Sequence, residues 1–508
     1  MFSNRAVPAD GWQRTDLDSC RMAALDYDAD AIREMVRVME ASSRRLDPGP
    51  QERRALWGAV GDHVGANLAG LGGKAAYPHD PLPDPSSLAF SESPAPVAEA
   101  LEAIAAVERP GLNQASGSHF AYIPGGGLFP SALGDLLADV SNCYAGVHVE
   151  GPGASMMERS LVRWMADLVG YPATAGGDLT SGASVASLEA IVTARDAAGI
   201  RSADVAGSVV YLTSQTHHCI EKALRVAGLG ECVVRRVDLD DGWRMSSSAL
   251  RATVEADRAA GLRPWLVVAT AGTTDTGAVD RLGPLADVAD GHDLWLHVDA
   301  AYGGFFILTD HGQRLLAGIE RSRSVVMDPH KGLFLPFGSG ALIIRDERQL
   351  ADSHRYSADY LRDAQKRGDV FSASDLSVEL SRPFRGPRMW LPLKLFGLAA
   401  FRAALEEKLL LARYFHARLG ELPGWVVGPP PDLSVVTYRY APRSGDGDDF
   451  NRRLLKAVSA DGRAAISATE IDGTYTLRLA VLHYRSHLED VDALLDVLVG
   501  EAARLEAS

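Results

Sequence analysis

Short runs of consecutive apolar residues alternate with amphipathic stretches through the middle of this chain. The runs are residues 209–213 (VVYLT), 265–270 (WLVVAT), 294–298 (LWLHV), 324–327 (SVVM) and 341–344 (ALII). Strands that are apolar at every position, rather than at every second one, are buried on both faces. The pattern therefore predicts a mainly parallel sheet covered by helices on each side. Residues 220–226, 247–260 and 284–289 between the runs carry apolar positions at helical spacing. Ahead of this region, residues 28–45 read as a helix with Ile32, Met35, Val36 and Met39 on one face, and a second helix is expected over 52–69. Residues 77–96 are dense in Pro, Asp and Ser, which ends helices and reads as a linker.

Beyond Trp390 the pattern changes. A long helix is expected over 391–419, containing the charge block Glu406-Glu407-Lys408. A Pro-rich turn (428–431), strands over 434–440 and 474–481, and a last helix from Leu488 complete a small α+β domain. The expected division is an N-terminal helical segment with linker (1–108), a large domain (109–392) and a small C-terminal domain (393–508).

Charge narrows the range of partners. Lys plus Arg number 51 and Asp plus Glu 66, a net −15, so no basic field is offered to nucleic acid or an anionic membrane. Cys20, Cys143, Cys219 and Cys232 are scattered with no paired spacing, which predicts neither a disulfide framework nor a metal site. No apolar leader is visible, and the longest stretch without charged residues, 110–134, is broken by Gly, Pro, Ser and Asn. A cytoplasmic location and no membrane segment are expected.

The chemistry concentrates in His297-Val-Asp-Ala-Ala-Tyr-Gly-Gly304 and Asp328-Pro-His-Lys-Gly332. Asp299 ends one apolar run, where open α/β sheets bind ligands, and Lys331 follows the next run, 32 positions further on. Alone, the Asp reads as a helix cap and the Lys as a solvated charge. Together they suit pyridoxal phosphate, which needs a lysine for a Schiff base and a carboxylate to keep its ring nitrogen protonated. Thr180-Ser-Gly-Ala-Ser184, before the helical pattern 185–198, supplies backbone N–H groups and a hydroxyl for a phosphate. Thr213-Ser-Gln-Thr-His-His218 follows the first run and offers an imidazole for the ring.

With these segments in place, the chain resembles the group II pyridoxal-phosphate-dependent decarboxylases, which act on aromatic amino acids, glutamate and histidine. The resemblance runs from about Phe120 to Leu498. It is carried by Phe120-Ala-Tyr-Ile-Pro, Gly151-Pro with Met157-Glu158 and Trp164, Thr180-Ser-Gly-Ala-Ser, Gly272-Thr-Thr, the Asp299 and Lys331 segments, and Phe384-Arg-Gly-Pro-Arg-Met-Trp390. It implies the aspartate-aminotransferase-like fold (fold type I), an α/β architecture with a seven-stranded sheet, and a homodimer. Lys331 corresponds to the cofactor lysine and His330 to a phosphate contact. Asp299 matches the partner of the ring nitrogen, and Ala301 lies against the ring. Ala183 and Ser184 match the phosphate-binding pair, His217 the stacking imidazole, and Thr274 a threonine near Asp299. Tyr122 falls where the family lines its substrate pocket, while Tyr144 and His148 fall in a segment donated by the neighbouring subunit. Asn113 and Gln114 are further pocket candidates.

The chain also departs from the family pattern. Gly182 and Val185 stand where the family often has a Gly-Gly or an acidic residue, and Gly332-Leu333 where it commonly has Trp. Decarboxylases of the family carry a loop tyrosine that protonates the carbanion. An ungapped count back from Trp390 puts Ala373 there, with Tyr356 and Tyr360 further upstream. Decarboxylation of an L-amino acid or a derivative is the expected reaction. Decarboxylation-coupled oxidative deamination to an aldehyde, cleavage of a C–C or C–S bond, and a non-catalytic scaffold are the alternatives.

Overall fold

The computed structural model describes residues 28–355 and 371–507. They form two compact units, one of residues up to Ala69 with Asp84–Ala105, the other of Gly70–Pro83 with Ala106 onward. The first unit holds α1 (Ala29–Ser43), α2 (Pro50–Gly70) and the start of α3 (Val97–Glu108). Asp28 caps α1 by accepting the Asp30 N–H at 3.0 Å, which satisfies one of the donors a helix start leaves over. Met35, Val36 and Met39 lie on the expected apolar face and are exposed. The linker region contains one 3-10 turn, Pro85–Leu88, and α3 begins directly after it.

In the second unit, seven strands form the main sheet: β1 (Gly176–Thr180), β2 (Ser208–Leu212), β3 (Val233–Arg236), β4 (Arg263–Thr270), β5 (Trp295–Asp299), β6 (Ser324–Met327) and β7 (Gly340–Ile344). Their order is β1-β7-β6-β5-β4-β2-β3. Only β7 runs antiparallel to its neighbours. The mainly parallel sheet expected from the apolar runs is thus present.

Alternate residues of each central strand feed two separate cores. Tyr211, Val267, Val298, Val325 and Ile343 belong to one cluster, and Leu212, Val268, Trp295, Val326 and Leu342 to the other. That division is why the runs carry apolar residues on both faces. The helices α4 (Phe129–Ser141) and α5 (Pro152–Val169) come before the sheet, and α6 (Ala183–Ala197) and α7 (Cys219–Val226) sit between its first strands. Ala186, Ala190, Ile191, Ile220 and Leu224 put α6 and α7 in the second cluster.

Two strands of this sheet lie outside the apolar runs. β1 reads Gly-Gly-Asp-Leu-Thr, because a Cβ on Gly177 would meet the Leu342 carbonyl at 1.9 Å. β3 is an edge strand with alternate positions exposed, so it lacks a continuous apolar run.

The long helix spans Gly386–Gly420 but is interrupted at Gly397, whose φ of 69° and ψ of 160° are not helical. The expected unbroken helix is therefore two helices meeting at a glycine. The C-terminal sheet, ordered β10-β11-β9-β8, comprises β8 (Trp425–Val427), β9 (Val435–Tyr440), β10 (Ser467–Ile471) and β11 (Thr474–Ala480). Helices Gly447–Asp461 and Leu488–Glu506 accompany it. Phe401, Leu405, Leu433, Val435 and Leu482 continue the first core cluster into this region, so the two sheets share apolar packing. Among the described residues, no helix is long and apolar enough to cross a membrane.

Burial fixes the protonation of three histidines. His119 and His297 are pushed down to about 4 and His483 to about 3, in each case chiefly by loss of water around the ring. All three are neutral in the fold and take up protons only on unfolding, below the ordinary value of 6.5. Stability from these groups is complete above that pH and is lost as pH falls toward 4. The expected slope is up to about 1.4 kcal/mol per pH unit for each ring. Denaturant titrations between pH 7 and 4 check this. His483→Asn, which keeps an acceptor for the Arg485 N–H, should flatten the slope; an unchanged slope would exclude His483 as a contributor.

Candidate active site

Parallel pairing aligns the C-terminal ends of the central strands. Thr270, the last residue of β4, stands opposite Asp299, the last residue of β5. The chain leaves β6 through Asp328 into a single helical turn, Pro329–Gly332, that presents Lys331. Gly182, Ala183 and Ser184 open α6 close by, and His217 stands just before α7. These ends enclose a cavity of about 190 Å³. Ala183, Ser184, His217, Thr274, Asp299, Ala301, His330 and Lys331, all singled out in the sequence, line it together. Gly182, Cys219, Thr270, Gly272, Tyr302 and Asp328 complete the wall.

A buried carboxylate organises the charges. Asp328 is 2% exposed; its Oδ2 lies 2.9 Å from Lys331 Nζ, and its Oδ1 accepts the Ala183 N–H at 2.8 Å. His330 Nε2 is 3.7 Å from the same carboxylate, and its Nδ1 donates to the Ser339 carbonyl at 2.6 Å. Burial works against the Lys331 ammonium, but Asp328, helped by Asp299, outweighs it and raises the lysine above its ordinary value. Burial also lowers His330 and His217, the latter in spite of Asp299. His217 Nδ1 accepts the Cys219 N–H at 3.3 Å, so the proton of the neutral ring is on Nε2. Burial, reinforced by Asp299, pushes the Cys219 thiol up to about 12, leaving it protonated. Asp299 Oδ1 accepts the Ala301 N–H at 3.1 Å.

The wall is braced from the C-terminal sheet. Arg478 of β11 is 3% exposed; its Nε donates to the Asp275 carbonyl at 2.8 Å and its Nη1 to Ser467 Oγ at 2.9 Å. Nη2 donates to the carbonyls of Thr274 and Tyr122. Gly272 turns at φ +100°, where a Cβ would meet the Tyr302 ring at 2.6 Å.

Other predicted positions lie elsewhere in the single chain. Tyr122 is exposed and touches this arrangement only through its backbone. The Tyr144 hydroxyl donates to the Leu380 carbonyl, and the His148 N–H to Ser372 Oγ. Asn113 accepts the Ala115 N–H within its own turn. Ala373 begins a 3-10 turn and lines a second cavity, about 340 Å³, with Glu158, Asp178 and Arg382. The structure therefore does not bring Ala373 to the Lys331 cavity, while Tyr356 and Tyr360 lie outside the described residues.

The wall fits pyridoxal phosphate. The start of α6 already holds an anionic carboxylate through Ala183, Thr270 Oγ1 is buried without a partner, and an amine and a second carboxylate face the same space. Asp328 and Thr270 are the residues sequence reasoning left unassigned. Asp328 sits one helical turn before Lys331, and Thr270 ends β4 as Asp299 ends β5, so both had a positional signal.

Comparison with known proteins agrees. Residues 80–441 match the family described as the pyridoxal-dependent decarboxylase conserved domain. The chain is 36% identical over 380 residues to the aromatic-L-amino-acid decarboxylase of Bacillus atrophaeus, covering 73% of this chain and 78% of that one. It is 30% identical over 420 residues to tyrosine decarboxylase 2 of Arabidopsis thaliana, covering 80% and 76%. The crystal structure of Oryza sativa TDC with PLP and tryptamine superposes with a TM-score of 0.86 at 26% identity, covering 91% of this chain and 99% of that one.

The cradle depends on a bare backbone contact. A Cβ on Gly340 of β7 would lie 2.5 Å from Gly182, whereas one on Gly207 would meet nothing within 4 Å. Gly340→Ala should cost about 1–3 kcal/mol by forcing α6 away from the sheet, and Gly207→Ala should be close to neutral. Denaturant midpoints of the two variants check this, and equal midpoints would refute the contact.

Proposed function

Because the chain belongs to the pyridoxal-dependent decarboxylase family and is a pyridoxal-phosphate-dependent carboxy-lyase acting on an amino acid, we propose that it converts an L-aromatic amino acid to the corresponding amine and CO2. One observation carries the assignment of residues: Lys331, Asp299 and His217 converge on a single cavity that also holds the start of α6. The aromatic preference is supported by the aromatic-L-amino-acid and tyrosine decarboxylases among its relatives.

Lys331 Nζ would hold the cofactor through its aldehyde carbon. Ala183 and Ser184 would hold the phosphate at the start of α6, where backbone N–H groups point outward. When bound, the cofactor ring supplies the electron sink for the pair left at the α-carbon as CO2 departs. Asp299 would keep a proton on the ring nitrogen. His217, with its proton on Nε2, would lie against the ring and offer that N–H to the substrate carboxylate, orienting it for loss of CO2.

The working form in this reading is a homodimer in the cytoplasm. None of the described residues of α1, α2 or α3 is buried, although α1 carries an apolar face. Helices of this length gain most of their stability by packing such a face. Tyr144 and His148 lie outside their own chain's cavity, as residues given to a neighbour's site would. The free thiols of Cys143, Cys219 and Cys232 suit a reducing compartment.

Lys331→Ala should abolish the borohydride-reducible visible band while leaving the fold intact. Asp299→Asn should keep cofactor and lose about a hundredfold or more in rate, as expected for removing a main electrostatic partner of the transition state. A near-native rate in either variant would remove that residue from the mechanism.

L-tryptophan, L-tyrosine and L-phenylalanine, followed by mass spectrometry with an oxygen electrode, test the product. Amine equal to CO2 with no oxygen uptake is expected. Aldehyde formed with oxygen uptake would replace this reading by oxidative deamination.

A further inference from the structure

We propose that Asp328 competes with the cofactor phosphate for the α6 cradle and holds Lys331 as an ammonium, so that its charge sets how tightly the phosphate is bound. The proposal rests on the reading of this cavity as the pyridoxal phosphate site and adds a residue whose charge opposes its ligand. The geometry is specific. Asp328 Oδ1 uses the backbone N–H of Ala183, one of the pair assigned to the phosphate, and Oδ2 pairs with Lys331 Nζ. The carboxylate is fixed: both its oxygens have partners, and the side chain is 2% exposed. The ionisable groups around this pair are His330 on the same turn, Asp299 from β5, and Cys219 and His217 from α7 and its approach.

Two costs follow for a phosphate arriving at Ala183. It displaces a carboxylate from an N–H group, and it then lies beside that carboxylate where little water screens like charges. The same carboxylate also keeps a proton on Lys331, and only the neutral amine attacks an aldehyde. Asp328 is therefore a positioning residue with a cost in ligand affinity. It keeps the lysine at the cradle and weakens the cradle's hold on anions.

The test uses the full chain stripped of cofactor, in buffer free of phosphate, with inorganic phosphate as the first probe by isothermal titration. Asp328→Asn keeps an acceptor for the Ala183 N–H but loses the charge, and should bind phosphate at least tenfold more tightly. Asp328→Glu keeps the charge and should show no gain. Asp328→Ser serves the same purpose as the Asn variant if that one melts early.

The second probe is pyridoxal, which lacks the phosphate. Lys331 Nζ condenses with its aldehyde with loss of water, borohydride delivers hydride to the new C=N bond, and mass spectrometry counts label at Lys331 against pH. The midpoint of labelling should fall by about one pH unit or more in the Asn variant, since the partner that holds the proton on Lys331 is gone. Phosphate binding that is unchanged or weaker in a well-folded Asn variant, equal gains for Asn and Glu, or an unmoved labelling midpoint would each overturn the proposal. If native protein takes up neither phosphate nor pyridoxal phosphate, the cofactor reading itself falls, an outcome distinct from native binding without a gain in the variant.

Discussion

Parity along the central strands is the constraint on which the site depends. In a strand, successive side chains face opposite sides of the sheet. Thr270 shares its side with Leu266 and Val268, and Asp299 shares its side with Trp295, all of which pack in the cluster that holds α6 and α7. Parallel register then sets Thr270 beside Asp299 at the strand ends. Hydroxyl and carboxylate therefore meet on the side where α6 and α7 pack because the counts along β4 and β5 agree.

Within the cavity, charge is balanced locally. Lys331 is partly exposed, with 23% of its side chain open to solvent, yet it faces two acidic groups, Asp328 at contact and Asp299 beyond. His217 loses its charge to burial even with Asp299 nearby. The two basic groups are thus held in different states by one environment, the amine charged and the imidazole neutral. In the proposed function, a neutral imidazole against the cofactor ring would add no second positive charge beside the protonated ring nitrogen.

Much of this was legible in the chain. Five central strands were readable because burial on both faces leaves few polar positions in them, and the residues lining the cavity were readable because their segments sit at strand ends. What escaped has physical reasons. β1 is built around Gly177, whose missing Cβ admits the Leu342 carbonyl, so packing removed the very residues that mark strands. The break at Gly397 was hidden by apolar residues that continue the helical pattern through it. Ala373 lines a different cavity of its own chain, beside Glu158 and Arg382. Arg478 carried no signal, since all but one of its partners are backbone carbonyls brought from far along the chain.

The division of each strand between two cores bears on how such a chain can diverge. Adding or deleting a single residue within β5 would exchange its two sets of side chains, sending Asp299 to the face lined by Val298 and putting an apolar residue in the cavity. The same change in the loop before β5 or after it leaves parity intact. Length variation is therefore tolerable in the connections and ruinous in the strands. New specificities must be built by insertion at the rim or by substitution at its turns, around a catalytic floor whose spacing is frozen.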